Sequence, residues 1–397
     1  MGASVMNAAF GFLFWTAAAR LYRPHDVGLA AAALAVIGLL ATLSGLGLDY
    51  ALVRFLPSAS RPHEIINSCL TIGSVVALLV AVIFLVGLEL WSPAMMPLRT
   101  NPAYSVSLII AVVSTTTVGF MAAVYLSRKN ARMVFSQSLI FGTAKVVTVI
   151  LLAVVGVGTV GLLGAWVVGL TAAVGVGLLF FLPLVEGSGF RFRPALARTV
   201  VNDMAHFASA NYFTAVFWSA PMSLLPILIT NVAGAEANAY FYIAASVSGL
   251  LAMVPMAASM SLFAYGSRDA SDLSRRALES ARFSLLLLAP AIVGMFLFGE
   301  KVLLIFGKAY SEAGTKLLWI LALSALPLAV NYVFFSVRRV QRRMAGVIAS
   351  AVWVLVVTLG LSVVLLPRAG LLGAGIAWFA AQASLAAVIL VRFAVKR

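Results

Sequence analysis

The sequence has few of the side chains that carry chemistry in enzymes. It contains one cysteine, Cys69, and three histidines, His25, His63 and His206, which are scattered along the chain. This excludes a disulfide framework and a zinc cluster, and we expect no metal or other cofactor. No GxxxxGK(S/T) string occurs, so direct use of ATP is not expected.

Charged side chains are also scarce. They make up 10% of the 397 residues, whereas hydrophobic residues make up 63%, and the mean hydropathy is +1.09. A soluble body of this size needs more polar surface. Apolar runs of about 18 or more residues recur, and each is long enough to cross a bilayer core of ~30 Å. The composition therefore predicts a multi-pass, all-α membrane protein.

The apolar runs predict about twelve transmembrane helices. They cover residues 2–20, 29–50, 69–90, 105–126, 135–155, 160–184, 207–230, 239–264, 283–298, 317–335, 347–366 and 371–391.

A repeat divides these helices into two sets of six. GLLGA at 161–165 returns at 370–374, and GLLA at 38–41 returns at 249–252, an offset of about 210 residues. Because an even number of spans separates the copies, the two halves share one orientation and are expected to be related by a pseudo-two-fold axis along the membrane normal. We predict an N-terminal lobe at 1–184, a cytoplasmic linker at 185–204 and a C-terminal lobe at 205–397.

The distribution of positive charge predicts the orientation. Nineteen of the 27 lysine and arginine residues fall in the segments on one side, seven fall on the other side, and Lys145 lies within a helix. The positive-inside rule places both termini in the cytoplasm of a cell-membrane protein. Topology and contact with anionic membrane lipids account for the net charge of +15, so no nucleic-acid partner is expected. The repeat alignment also indicates a native start upstream of Met1.

Lys145 is the exception in an otherwise uncharged membrane interior. Predicted helix 5 starts near Phe135, so Lys145 lies about 15 Å deep, close to the midplane. An ammonium there faces a wet cavity or a partner. We interpret it as a cavity cation for an anionic substrate group, with a snorkelling or structural lysine as the alternative.

Four further residues are candidate substrate-binding groups. Arg20 ends predicted helix 1, where it either faces the substrate or anchors the helix at the interface. Asn211 and Asn331 lie within spans, where they line a cavity or bridge helices. Trp218, halfway along predicted helix 7, is positioned to stack on a sugar ring or to serve in packing.

Two prolines are candidate residues for a gating motion. Pro221 and Pro226 interrupt predicted helix 7 and are candidate gating residues, with static kinking as the alternative.

The twelve carboxylates all lie in loops or near helix ends. Asp49 and Arg54, at the end of predicted helix 2, are interpreted as a local ion pair rather than part of an ion relay.

Several strings lie in order along the chain, from GFLFWTAAARLYRPHDVG near the start, through LLPILITNVAGAEANAYFY and KVLLIFGKAYSEAG, to PRAGLLGAGIAW near the end. Together with the features above, these strings resemble the oligosaccharide flippases, or polysaccharide biosynthesis proteins, of the multidrug/oligosaccharidyl-lipid/polysaccharide exporter superfamily. The resemblance covers essentially the whole chain.

The resemblance implies a two-lobed transporter that moves a polyprenyl-diphosphate-linked oligosaccharide from the inner to the outer leaflet by alternating access. Its partners would be that lipid-linked glycan, membrane lipids and other polysaccharide assembly proteins. The related lipid II flippases carry an Arg-Asp pair where this chain has Phe14 and Trp15, which argues against lipid II as the substrate.

Two alternatives remain beside the flippase. A multidrug exporter of the same superfamily would call for a membrane-embedded acid, and a membrane glycosyltransferase or polymerase would call for paired carboxylates or a long outer loop. The sequence favours neither, and an enzyme is not expected. The glycan, the oligomeric state and the source of energy, whether an ion gradient, the membrane potential or consumption of the product, stay open.

Overall fold

The structure, a computed structural model, describes residues 2–197, 204–266, 272–341 and 343–395. Within these ranges the chain is helical and contains no β-strand. The helices are α1 Gly2–Leu21, α2 Pro24–Gly45, α3 Leu48–Phe55, α4 Pro62–Val86, α5 Leu88–Trp91, α6 Pro97–Thr100, α7 Pro102–Ser127, α8 Ala131–Val155, α9 Gly158–Val176, α10 Leu182–Glu186, α11 Ala205–Ala233, α12 Ala235–Gly266, α13 Leu273–Leu304, α14 Lys308–Leu323, α15 Ala325–Val340, α16 Met344–Ala369 and α17 Leu371–Val395.

The helices confirm the predicted set of membrane spans. Among the described residues, eleven helical segments are long and apolar enough to cross a bilayer, and Val5–Leu21 is a shorter apolar helix. Each corresponds to one predicted span. Two spans combine several elements: a π-helical turn at Gly177–Phe181 joins α9 to α10, and α14 continues into α15 through Ser324.

The chain forms two compact units, Met1–Ser219 and Ala220–Arg397. In the first unit α8 packs against α1 and α9, while α7 packs against α2, α4 and α9. In the second unit α12 packs against α13, α14 and α15, and α17 packs against α14, α15 and α16. The division between the units falls inside α11, beyond the linker predicted at 185–204.

The second span, Pro24–Gly45, ends earlier than the helix that the sequence analysis predicted over 29–50. Helix α2 ends at Gly45, and Leu46 and Gly47 both have left-handed backbones, with φ of 49° and 71°. Leu46 is strained there, because a side chain disfavours positive φ. Gly47 is needed for a second reason, since a Cβ atom would lie 2.3 Å from the Ala208 carbonyl oxygen. Helix α3 then starts at Leu48.

The segment 187–197 forms a strap across one face of α4. Four α4 side chains, which recur at helical spacing, hold the strap or its anchor: His63 contacts the Glu186 carbonyl, Asn67 donates to the Arg191 carbonyl, and Thr71 and Ser68 accept from the backbone N–H groups of residues 195 and 197. Phe190, 2% exposed, packs edge-on against the His63 ring. Side chains of one helix thereby satisfy four backbone polar groups of this segment and its anchor.

A bidentate ion pair fixes the start of the strap. The Arg128 Nε and Nη2 atoms each donate to a carboxylate oxygen of Glu186 at 2.7 Å. The Glu186 side chain is 2% exposed, whereas that of Arg128 is 28% exposed. The hydrogen bonds to Glu186 raise the pKa of Arg128 further above its ordinary value, so the guanidinium stays charged.

We predict that Arg128→Met lowers the melting temperature of the purified protein more than Glu186→Gln does. Removal of Arg128 strands a buried carboxylate, whereas removal of the Glu186 charge leaves a guanidinium that water can reach. Arg275→Met is the matched control, because its pair with Glu279 lies on the surface, with side chains 75% and 58% exposed, and we expect it to have no measurable effect. Equal shifts for the two variants at the strap would contradict the prediction.

Candidate functional site

A pocket of about 360 Å³ opens within the first unit, between α2, α3, α7 and α11. This volume lies in the range of small-molecule sites. Its wall combines one carboxylate with hydroxyl, aromatic and glycine residues, namely Gly38, Ala41, Thr42, Gly45, Gly47, Asp49, Tyr50, Thr115, Thr116, Gly119, Phe120, Tyr212, Ala215, Trp218 and Ser219. No lysine, arginine or histidine belongs to this wall.

Asp49 is the charged residue of the pocket, and the break after α2 places it there. It lies in the first turn of α3, and its carboxylate accepts hydrogen bonds from its own backbone N–H and that of Tyr50. Burial raises the pKa of Asp49, and the two hydrogen bonds only partly oppose this. The local pair of Asp49 with Arg54 stays a prediction.

Lys145 lies elsewhere in the first unit and is 3% exposed. Its Nζ atom is 4.4 Å from the ring centroids of Phe141 and Trp166 and 5.6 Å from that of Phe14. These three rings, which we call the aromatic cage, come from α1, α8 and α9. Within the described chain no carboxylate pairs with Lys145. Aromatic faces attract the ammonium in place of water.

The sequence therefore located a buried cation in the membrane, but the structure surrounds Lys145 with rings and does not place it on the pocket wall. In this structure Lys145 matches the structural alternative of the sequence analysis. Its role as a substrate cation stays a prediction.

The other predicted substrate-binding residues are spread over both units. Trp218 lines the pocket. Arg20 is exposed in the last turn of α1. Asn331 is fully buried, and its amide donates to the Gln382 backbone carbonyl at 3.1 Å and to Gln382 Oε1 at 2.8 Å, so here it bridges α15 and α17. The side chain of Asn211 lies outside the described part of the structure.

Both predicted gating prolines lie inside α11, which runs unbroken from Ala205 to Ala233. The Thr230 hydroxyl donates to the Pro226 carbonyl at 2.8 Å, which satisfies an acceptor near the proline. A role for Pro221 and Pro226 in gating stays a prediction.

The sequence analysis missed Asp49 as a pocket residue. The available signal was its position in GLGLDY, where two glycines interrupt an apolar run directly before an acid. A glycine pair of this kind permits a helix break, and a broken helix within a membrane protein commonly lies beside a binding site.

Comparison with known proteins identifies the family of this chain. The polysaccharide biosynthesis protein family matches residues 17–315, which is most of the chain. The chain belongs to this family. No curated protein sequence matches it significantly.

Solved structures show that this polysaccharide biosynthesis protein shares the fold of transporters in the multidrug/oligosaccharidyl-lipid/polysaccharide exporter superfamily. It is similar to the lipid II flippase MurJ in an inward closed conformation, with a TM-score of 0.79, 13% identity, and coverage of 100% of this chain and 87% of that one. It is also similar to an inward-facing multidrug resistance transporter of the MATE family, with a TM-score of 0.73, 14% identity, and coverage of 98% and 94%.

A third structure is a transporter of the same superfamily from Pyrococcus furiosus, described as having a binding pocket of reverse polarity. Its TM-score is 0.65 at 14% identity, with coverage of 100% of this chain and 93% of that one. At these identities the comparisons establish the predicted twelve-helix fold for this family member, which is a multi-pass membrane protein.

We predict that Lys145 and Trp166 are energetically coupled. In a double-mutant cycle with Lys145→Met and Trp166→Leu, we expect a coupling free energy of about 1–2 kcal/mol, because the cation loses a desolvated aromatic partner. The measurement is reversible unfolding in mixed micelles. Lys301→Met with Phe298→Leu is the control cycle, since that cation lies 5.9 Å from an exposed ring, and its coupling should be much smaller. Additive effects at Lys145 and Trp166 would refute the cage as a stabilising contact.

We also predict that Asp49→Asn raises the melting temperature at pH 7. The folded state raises the pKa of Asp49, so the folded protein binds the proton more tightly than the unfolded chain, and its stability falls as the pH rises through this pKa. Asparagine removes that penalty. The gain should shrink as the pH is lowered, because wild-type Asp49 then becomes neutral as well. A gain that is independent of pH, or a loss at pH 7, would contradict this assignment.

Proposed function

We propose that this protein is a flippase that moves a polyprenyl-diphosphate-linked oligosaccharide from the inner to the outer leaflet of the cell membrane, for assembly of a cell-surface polysaccharide. The observation that carries the proposal is the family match over residues 17–315 in a chain built from membrane-spanning helices. A polysaccharide biosynthesis protein with a transporter fold has an evident task in such a process, which is to carry the lipid-linked intermediate across the bilayer.

The proposed mechanism is alternating access, in which the lobe at 1–184 moves against the lobe at 205–397. The positive-inside rule supports an orientation with both termini in the cytoplasm. In that orientation α2 and α7 both run inward, and the pocket lines the C-terminal portions of both helices. The pocket would then lie in the cytoplasmic half of the first unit, where the lipid-linked glycan is made available.

Transport without catalysis is part of the proposal. A glycosyltransferase or polymerase needs a site with paired carboxylates or an extramembrane domain. The described pocket contains one carboxylate, and the described connections between spans are short. Partners would be the lipid-linked glycan, the surrounding lipids and other proteins of polysaccharide assembly.

Export of cationic drugs is the second candidate. The observation that favours it is the combination of Asp49 with aromatic rings in one pocket, because a carboxylate and π faces attract lipophilic cations. The family match favours the flippase over this alternative.

The test is depletion of the protein in its native cell, followed by leaflet-resolved labelling of polyprenyl-linked glycans. We expect a lipid-linked oligosaccharide to accumulate on the inner leaflet and to clear when the wild-type protein is restored. Normal arrival of the glycan on the outer leaflet, together with increased drug sensitivity, would overturn the proposal in favour of export. In the same cells, a Lys145→Met variant that reaches the membrane at the wild-type level yet fails to clear the glycan would support the predicted cation role, and full rescue would remove it.

A further inference from the structure

The pocket has the wrong charge for the diphosphate of the proposed substrate. Its wall contains the Asp49 carboxylate and no cationic side chain. A diphosphate brought into this space would face an anion of its own sign, with no cation on the wall to offset the repulsion. The pocket therefore suits another part of a lipid-linked glycan.

The remaining wall groups match a sugar ring. Tyr50 and Tyr212 contribute hydroxyl groups to the wall, and the Thr42 hydroxyl, which donates to the Gly38 carbonyl at 2.9 Å, contributes an acceptor oxygen. Trp218 and Phe120 contribute aromatic surface, against which the apolar C–H face of a sugar packs favourably. Hydroxyl groups beside aromatic surface are the groups that a neutral polyol can use in binding.

Asp49 retains capacity for a ligand. An ionised carboxylate offers about four acceptor positions, and the two backbone N–H groups at the start of α3 occupy only part of them. The described residues place no salt-bridge partner on Asp49. The free positions can accept hydrogen bonds from sugar hydroxyls, which are stronger to an ionised acceptor than to a neutral one.

Glycine residues leave the pocket open, because they have no side chain to fill it. A Cβ atom added at Gly38, Gly45 or Gly119 would meet no atom within 4 Å, so each glycine faces open volume. Glycine within a helix costs roughly 1 kcal/mol relative to alanine. Gly38 and Gly119, which lie inside α2 and α7, keep this volume open at that cost.

We propose that this pocket is a sugar-ring subsite for the glycan of the lipid-linked substrate, in which Asp49 accepts hydrogen bonds from sugar hydroxyls, Trp218 packs against the ring, and the diphosphate is bound elsewhere. This inference rests on the proposed function. It assigns the first unit a part in recognising the glycan, separate from recognition of the lipid diphosphate.

The experiment compares two probes by native mass spectrometry of the full-length protein in micelles. One probe is polyprenyl diphosphate without sugar, and the other is the polyprenyl-diphosphate glycan fraction extracted from cells depleted of this protein. We expect wild-type protein to bind the glycan-bearing lipid at least about tenfold more tightly than the bare lipid. Asp49→Asn should reduce that ratio by about tenfold, as expected for loss of a charge-assisted hydrogen bond, and should leave the affinity for bare lipid unchanged.

Gly119→Leu tests the same pocket by filling it. It should also abolish the preference for the glycan-bearing lipid, since the new side chain enters open volume. The matched controls are Glu312→Gln, a surface carboxylate paired with Lys308, and Gly360→Leu, another helical glycine with no atom within 4 Å of an added Cβ. Both should keep the wild-type ratio, and melting temperatures report whether each variant is folded.

The outcomes separate the two proposals. If wild-type protein binds neither lipid, the proposed function fails. If it prefers the glycan-bearing lipid and folded Asp49→Asn and Gly119→Leu variants keep that preference, the flippase stands and the sugar subsite is wrong. If both variants instead lose binding of tetraphenylphosphonium, a lipophilic cation, while the glycan preference persists, the pocket belongs to drug export.

Discussion

The absence of hydrogen-bonding solvent in the bilayer core is the constraint on which the rest of this structure depends. A backbone N–H or C=O group in hydrocarbon must find its partner within the protein, so the chain crosses the membrane as helices. The turn between α2 and α3 follows the end of the span at Gly45. There Gly47 packs against the backbone near Ala208, and the chain borders the pocket.

Lys145, which is buried, and Asp49, which is partly exposed, lose water in different ways. Lys145 exchanges water for three aromatic faces, which attract the ammonium. Asp49 instead accepts N–H groups exposed by the helix break and keeps part of its acceptor capacity. A carboxylate whose burial costs stability, held beside an open volume, is the arrangement expected of a functional residue rather than a structural one.

The membrane spans could be predicted from sequence because each depends on a long apolar run, and the family resemblance rested on motifs spread along the whole chain. The pocket was not predicted, because the glycines of GLGLDY were taken as part of one helix over 29–50, whereas a left-handed turn at Leu46 separates Asp49 from α2. Lys145 illustrates the opposite case. Its depth follows from counting residues along one helix, but the rings of Phe14 and Trp166 come from two other helices, whose packing is a tertiary property. For Asn331 the sequence left two roles open, lining a cavity or bridging helices. Only the position of Gln382 in α17 shows the bridge.

The strap over residues 187–197 bears on how the protein is made. All of the strap contacts described above join it to α4, and its anchor joins Arg128 to Glu186, so every partner has been synthesised by the time residue 197 leaves the ribosome. The strap can therefore bind α4 before the remaining spans are inserted, which is consistent with the vectorial order in which multidomain proteins fold. Biogenesis of this membrane protein would proceed one half at a time.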